Sequence, residues 1–276
     1  MAPASALPAL ISFLSDYGLR DEFVGVCHGV MVRRCPNVRI IDLTHEIPRH
    51  DVLAGATVLR AALAYMPARI HLAVVDPGVG TSLRRAVALR TAGPDRLFVG
   101  PDNGLLTAAA QSLGGVVEAV DIGDSPERLQ PLSRTFHGRD IFAPVAAALA
   151  AGEPLADVGE PIAAAGLQQL ELPRARVEER TLAAHVLSCD VFGNVILDAS
   201  ARQLQSLPAR PGELLEIRYA GCTHTARYAF AFADVAVGEL LVYEDSRGNV
   251  ALAINRGSAA ELLGAARADE LLVRRG

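Results

Sequence analysis

The stretch from His71 to Arg85 reads H-L-A-V-V-D-P-G-V-G-T-S-L-R-R and sets an acid, a glycine loop and two adjacent arginines side by side. Leu72 to Val75 form a short unbroken apolar run, as expected of a strand covered on both faces of a parallel sheet. Asp76 ends that run, and Pro77 to Gly80 break any regular structure. Ligands of open α/β sheets sit outside the carboxyl ends of the strands, so a carboxylate placed there is a candidate site. The same residues also make an ordinary strand-ending turn, with Asp76 capping the loop and Arg84 and Arg85 solvated. Other polar clusters follow the same logic. Asp16 closes the β-type run Leu10 to Leu14, and Asp21 precedes a helical pattern, where it reads first as an N-cap. His137 sits in T-F-H-G-R-D just before a helix, where the helix dipole lowers its pKa and favours a neutral imidazole able to accept a proton. His45, Glu46 and His50 look like a metal motif, but the histidines are five apart around a proline rather than four apart on a helix, and no metal is expected there.

These residues must be positioned by regular elements, and the apolar spacing supplies them. Phe23, Val24, Cys27, Val30 and Met31 recur at helical spacing up to Pro36, Val38 to Leu43 reads as a strand, and Asp51 caps a helix from Val52 to Tyr65. Short strands follow at Ala86 to Arg90 and Arg96 to Val99. Next come a turn at Gly100 to Gly104, a helix from Leu105 to Leu113, a strand from Val116 to Asp121 and a helix from Ile141 to Ala151. This alternation implies a Rossmann-like α/β domain with a mainly parallel sheet over residues 1–165. A linker at about 165–175 leads to residues 175–276, where short β-like runs recur at roughly ten-residue intervals, the pattern of a small antiparallel β-barrel. Two polar turns of this half, D-V-F-G-N from Asp190 to Asn194 and D-S-R-G-N from Asp245 to Asn249, carry hydrogen-bonding side chains that hairpins also use.

The bulk numbers narrow the partners. At 276 residues, 51% hydrophobic and 21% charged, with a net charge of −5 and no basic block, the chain is not built for nucleic acid. Every basic side chain is arginine, which excludes a lysine Schiff base and a lysine-bearing phosphate loop. Cys27, Cys35, Cys189 and Cys222 lie far apart without a C-x-x-C, so neither zinc nor a disulfide framework is indicated. No run reaches membrane-spanning length and the N-terminus lacks a basic signal region, which makes the cytoplasm the expected location.

In order along the chain, F-L-S-D-Y-G-L-R-D, V-V-D-P-G-V-G, G-P-D-N-G-L-L, F-H-G-R-D-I-F-A-P, D-V-F-G-N and N-R-G-S-A-A-E-L-L resemble the S-adenosyl-L-methionine hydroxide adenosyltransferase family, the hydrolytic relatives of the fluorinase and chlorinase. The resemblance implies a Rossmann-like domain followed by a β-barrel. It also implies a homotrimer whose sites lie between one subunit's N-domain and its neighbour's C-domain. An Asp-Arg-His set that activates water maps onto Asp76, an arginine and His137. Alignment on the following A-V-A gives Arg84, while counting from Asp76 leaves Arg85 as the fallback. Asp16 matches the carboxylate that receives the ribose hydroxyls, and Asp21 and Asp190 match acidic positions around the methionine ammonium. Ser246 and Arg247 match residues near its carboxylate, and Phe192 and Asn194 match the adenine pocket. Phe23 stands where halogenating relatives have a serine. The implied reaction hydrolyses S-adenosyl-L-methionine to adenosine and L-methionine with no cofactor and no metal, because the sulfonium leaves as a neutral thioether. Halide transfer to the same carbon is the nearest alternative, and retention of Asp76 and His137 favours water over it. A non-catalytic module that keeps the pocket is another. A nicotinamide fingerprint at Gly78-x-Gly80 fails for want of its third glycine and a following helix.

Overall fold

The computed structural model describes residues 9–276 and divides them into two compact units, one ending at Glu171 and one beginning at Leu172. The apolar stretch of residues 1–8 lies outside the described residues. The N-terminal unit runs β1 (Leu10–Ser15), α1 (Phe23–Arg34), β2 (Arg39–Thr44), α2 (Val52–Leu63), β3 (Ile70–Val74), β4 (Ala86–Thr91), β5 (Leu97–Pro101), α3 (Leu105–Ala110), β6 (Val116–Asp121), α4 (Ala143–Ala151) and β7 (Glu160–Ile162). Its sheet has the order β2-β1-β3-β5-β4-β6-β7. β2, β1, β3 and β5 are paired in parallel. β4 runs against both β5 and β6, and β7 runs against β6. The reversal at β4 has a local cause. Only a short turn separates it from β5, and a parallel connection needs a crossover of a dozen or more residues.

Burial explains why the central strands are apolar throughout. β3 is buried at every position, so cover is needed on both faces. α1 packs on α4, and both join Ile11 and Phe13 in one core. From Ala143 to Leu149 every residue of α4 is buried, which accounts for a helix without a polar face. A π-helical turn, Gly138–Phe142, leads into it. The helical pattern after Asp21 begins at Phe23, but the N-cap is Glu22 with no side-chain capping bond, so Asp21 does not cap it. Asp51 does cap α2, accepting from the Ala54 amide at 2.9 Å.

The C-terminal unit runs β8 (Arg176–Glu178), β9 (Thr181–Cys189), β10 (Val195–Ser200), α5 (Ala201–Gln205), β11 (Leu214–Tyr219), β12 (Cys222–Tyr228), β13 (Leu240–Glu244), β14 (Asn249–Ile254), α6 (Ala259–Leu263) and β15 (Glu270–Arg275). Pairing of β9 with β10 closes β9 to β15 into a barrel, and β8 is added beside β9. The interior is filled by alternating side chains such as Leu182, Ala184, Val186, Leu197 and Ile217. The barrel is not wholly antiparallel: β12 and β13 pair in parallel. The stretch between them is long enough to bring the chain back to the same end, which a tight hairpin cannot do.

Candidate active site

β1 and β3 are neighbours in the sheet, and the chain leaves β1 for β2 on one side and later enters β3 on the other. That is a topological switch point, where the connections part and leave a crevice at the carboxyl ends of the strands. Ser15 pairs with Val74, so Asp16 and Asp76 follow adjacent strand ends. They line one cleft of about 390 Å³ together with Asp21, Phe23 and His137.

Arg84 joins this group from the end of the glycine loop. Its Nη2 lies 2.8 Å from Asp76 Oδ2 and donates to His137 Nδ1 at 2.7 Å. The Arg84 and Asp76 side chains are only 7% and 6% exposed. Burial pushes the Asp76 carboxyl above its ordinary value, against the downward pull of Arg84 and the Gly78 amide. Among the described residues neither Asp76 oxygen has a hydrogen bond of good geometry. The carboxylate therefore keeps acceptor capacity in a place where unmet acceptors are costly. Burial first, and then the Arg84 guanidinium, hold the His137 imidazole below its usual 6.5. The cause differs from the helix dipole that its position in the chain suggests. An arginine can only donate, so Nδ1 is bare and Nε2 carries the ring proton. Arg85 goes elsewhere: it pairs with Asp102 through Nε and Nη2 at 2.9 and 2.6 Å.

Several cleft residues escape the reading of single motifs. His50 holds a left-handed backbone (φ 65°) and its amide donates to Asp16 Oδ2 at 2.9 Å. Tyr17 and Phe136 line the cleft, and with Phe23 they form a set of tilted and edge-to-face rings. Burial, followed by Cys27 and Asp76, pushes the Tyr17 hydroxyl well up, so it remains a donor. Gly138 has no substitute here, because a Cβ at that position would overlap the Tyr17 hydroxyl. The only signal for Tyr17, Phe136 and Gly138 in the sequence is their place inside the motifs S-D-Y-G and T-F-H-G, and His50 stands out there only as a neighbour of His45 and Glu46.

The barrel carries the remaining candidates. Phe192 and Asn194 line a second cleft with Phe232, Ile254, Arg256 and Gly257. Asp190 is spent on its own turn: Oδ1 accepts from the Phe192 and Asn194 amides at 2.9 Å, and Oδ2 accepts from Asn194 Nδ2 at 2.8 Å. Ser246 and Arg247 are exposed on the turn before β14, where Asp245 accepts from the Arg247 and Asn249 amides. The β10/β14 register pairs Val195 with Leu252 and Ser200 with Asn249. Phe192 and Asn194 are therefore set at one end of that ladder and Ser246 and Arg247 at the other.

Comparison with known proteins agrees with this layout. Residues 11–159 match the family model described as SAM hydroxide adenosyltransferase N-terminal domain, and residues 184–272 match the C-terminal domain of the same name. The chain is 52% identical over 266 residues to the (R)-S-adenosyl-L-methionine hydrolase of Salinispora tropica, covering 96% of this chain and 98% of that one. It is 30% identical over 280 residues to a fluorinase of Nocardia brasiliensis, covering 91% and 92%. A crystal structure of an uncharacterized conserved protein from Thermotoga maritima superposes with a TM-score of 0.90 at 39% identity, over 96% of this chain and all of that one.

Proposed function

The chain belongs to the SAM hydroxide adenosyltransferase family, and from that premise we propose that it hydrolyses S-adenosyl-L-methionine to adenosine and L-methionine. One observation supports the assignment of roles above the others: Arg84 bridges Asp76 and His137 at 2.8 and 2.7 Å beside a cleft at the switch point of the sheet.

In this reading a water oxygen attacks the ribose 5′ carbon in line with the sulfonium. The C5′–S bond breaks, its electron pair returns to sulfur, and methionine leaves as a neutral thioether, so no acid and no metal are needed at the reacting centre. Asp76 orients the water through its underused oxygens. Arg84 favours hydroxide character by its charge, in a place shielded from bulk solvent. His137 takes the water's proton at Nδ1 when water displaces the arginine from that nitrogen. Asp16 receives the ribose hydroxyls, Asp21 and Asp190 supply negative charge for the ammonium, Ser246 and Arg247 meet the carboxylate, and Phe192 and Asn194 hold adenine. The working form is a homotrimer in which the barrel of a neighbouring copy completes each site. Exposed apolar side chains on both units, Phe23 and Leu83 on one and Val191, Phe192 and Phe230 on the other, support an assembly. The reducing cytoplasm suits the four cysteines, which are all unpaired. Among the described residues no helix is long and apolar enough to cross a membrane.

The test is product analysis by mass spectrometry after incubation with S-adenosyl-L-methionine and chloride. Wild type is expected to release adenosine and methionine, and His137→Ala to bind substrate but turn over ~10²–10⁴-fold more slowly. A chlorinated nucleoside as main product overturns the hydrolase reading. Unchanged turnover in the variant removes His137 from it.

A further inference from the structure

Outside the cleft, three side chains from separate parts of the N-terminal unit converge where β2 ends. Asp42 lies on β2, His45 follows it, and His28 comes from α1. His28 Nε2 is 2.9 Å from Asp42 Oδ1, His45 Nε2 is 3.1 Å from the same oxygen, and the three atoms lie within 4.8 Å of one another. Two imidazole nitrogens and a carboxylate oxygen form a donor set that suits a borderline divalent ion such as zinc.

The state of His45 points to a ligand more sharply than the clustering does. Its side chain is 2% exposed, its Nδ1 is held by Ser15 Oγ at 2.7 Å, and the Phe13 ring stands against it with centroids 4.6 Å apart. The ring is thus fixed with Nε2 turned toward Asp42 and His28. Yet among the described residues Nε2 makes no hydrogen bond, because the carboxylate oxygen lies within reach but off the required axis. A buried imidazole gains by closing such a bond if closing it is the purpose of the cluster. An imidazole anchored at one nitrogen, with the other aimed at an anionic oxygen and a second imidazole, has the arrangement of a metal ligand with its outer partner.

We propose that His28, Asp42 and His45 bind one divalent first-row transition ion, zinc in the first instance, through His28 Nε2, Asp42 Oδ1 and His45 Nε2. Solvent completes the coordination on the open side, where the Asp42 side chain is 40% exposed and His28 is 30% exposed. The ion is structural: none of the three residues lines the cleft, and no step of hydrolysis passes through it. Its effect reaches the cleft through the backbone. The His45 carbonyl accepts the Gly18 amide at 2.7 Å, so a clamp between α1 and the end of β2 braces the loop that carries Asp16 and Tyr17.

The test uses full-length protein freed of metal with a chelator and titrated with cobalt(II) chloride. Visible d–d absorption is expected to saturate at one equivalent and to be displaced by zinc, and zinc is expected to raise the melting temperature. His28 is partly exposed, so His28→Gln is expected to fold while losing both the cobalt band and the zinc-induced rise. Ser15→Ala removes the outer partner and is expected to weaken cobalt binding ~10–100-fold. The proposal is overturned if wild type shows neither a cobalt band nor a zinc-dependent melting shift. It is equally overturned if His28→Gln binds cobalt as tightly as wild type.

Discussion

Asp76 in the N-terminal unit and Asp190 in the barrel occupy similar sequence settings, each after a strand and shortly before a glycine. They spend their charge in opposite ways. Asp190 accepts three hydrogen bonds from its own turn, from the Phe192 and Asn194 amides and the Asn194 side chain. Asp76 lies 2.8 Å from Arg84 and is otherwise buried without a hydrogen bond of good geometry among the described residues. The difference lies in how the loop folds back: Arg84, eight residues on, returns beside Asp76, and His137 joins them from a distant part of the chain. A satisfied turn carboxylate shapes a hairpin. An unsatisfied one, held beside a guanidinium, is free to orient something that arrives later.

The sharpest way to break this contrast is to remove the cation. Arg84→Ala leaves the Asp76 carboxylate buried and unpaired, which costs ~3–5 kcal/mol of stability. It also removes the charge proposed to favour hydroxide, so turnover is expected to drop by ~10²–10³-fold. Arg85→Ala is the control. Its side chain is 35% exposed, and its partner Asp102 keeps the Gln168 amide at 2.8 Å, so a loss of ~1–3 kcal/mol with near wild-type turnover is expected. Urea unfolding and adenosine release measure both quantities. Equal losses of turnover in the two variants would erase the distinction between neighbouring arginines.

That distinction also marks how far the sequence carries. The order of elements, the Rossmann-like and barrel character of the two halves and the placing of Asp16 and Asp76 at strand ends were legible, because apolar periodicity and punctuation by glycine and proline are local signals. The choice between Arg84 and Arg85 was not, since adjacent residues have the same local pattern and only the packing of His137 against one of them separates them. The antiparallel course of β4 and the parallel pairing of β12 with β13 depend on which strands become neighbours. Glu179 and Arg180, both at positive φ, turn the chain between β8 and β9 without a glycine, so no residue type marks that turn locally. Proximity in sequence groups His45 with Glu46 and His50. The fold pairs it instead with Asp42 and with His28 from a helix.

In the barrel the comparison predicts effects on binding rather than on the chemical step. Phe192 is 76% exposed and supports no core, so Phe192→Ala is expected to leave the melting temperature unchanged. If its ring stacks on adenine, a loss of ~1–3 kcal/mol raises KM roughly 5- to 150-fold with little change in kcat. A fall in kcat with KM unchanged would assign Phe192 to the reacting centre instead. Asp190→Ala is milder for the substrate and felt mainly by the turn. Losing its net hydrogen bonds is expected to cost ~1–3 kcal/mol, read by thermal unfolding, with kcat intact.

The smallest effect concerns pH and tests whether burial in the N-terminal unit tunes the imidazole at all. The profile of kcat/KM reports groups of the free enzyme, and the active form needs His137 Nδ1 without a proton. Activity is therefore lost as pH falls through the folded-state pKa of that ring. Burial and Arg84 hold this value below 6.5, so at pH 6.5 more than half of the rings are neutral and the loss is less than twofold. Asp76 must be ionised as well, and its raised pKa adds a second proton to the acid limb. Wild type should thus fall with a slope steeper than one proton and a midpoint below 6.5, and His137→Ala with the single slope of the carboxylate. A wild-type midpoint at or above 6.5 would mean that the imidazole titrates as if exposed, and the N-terminal cleft would then treat its charged groups no differently from the turns of the barrel.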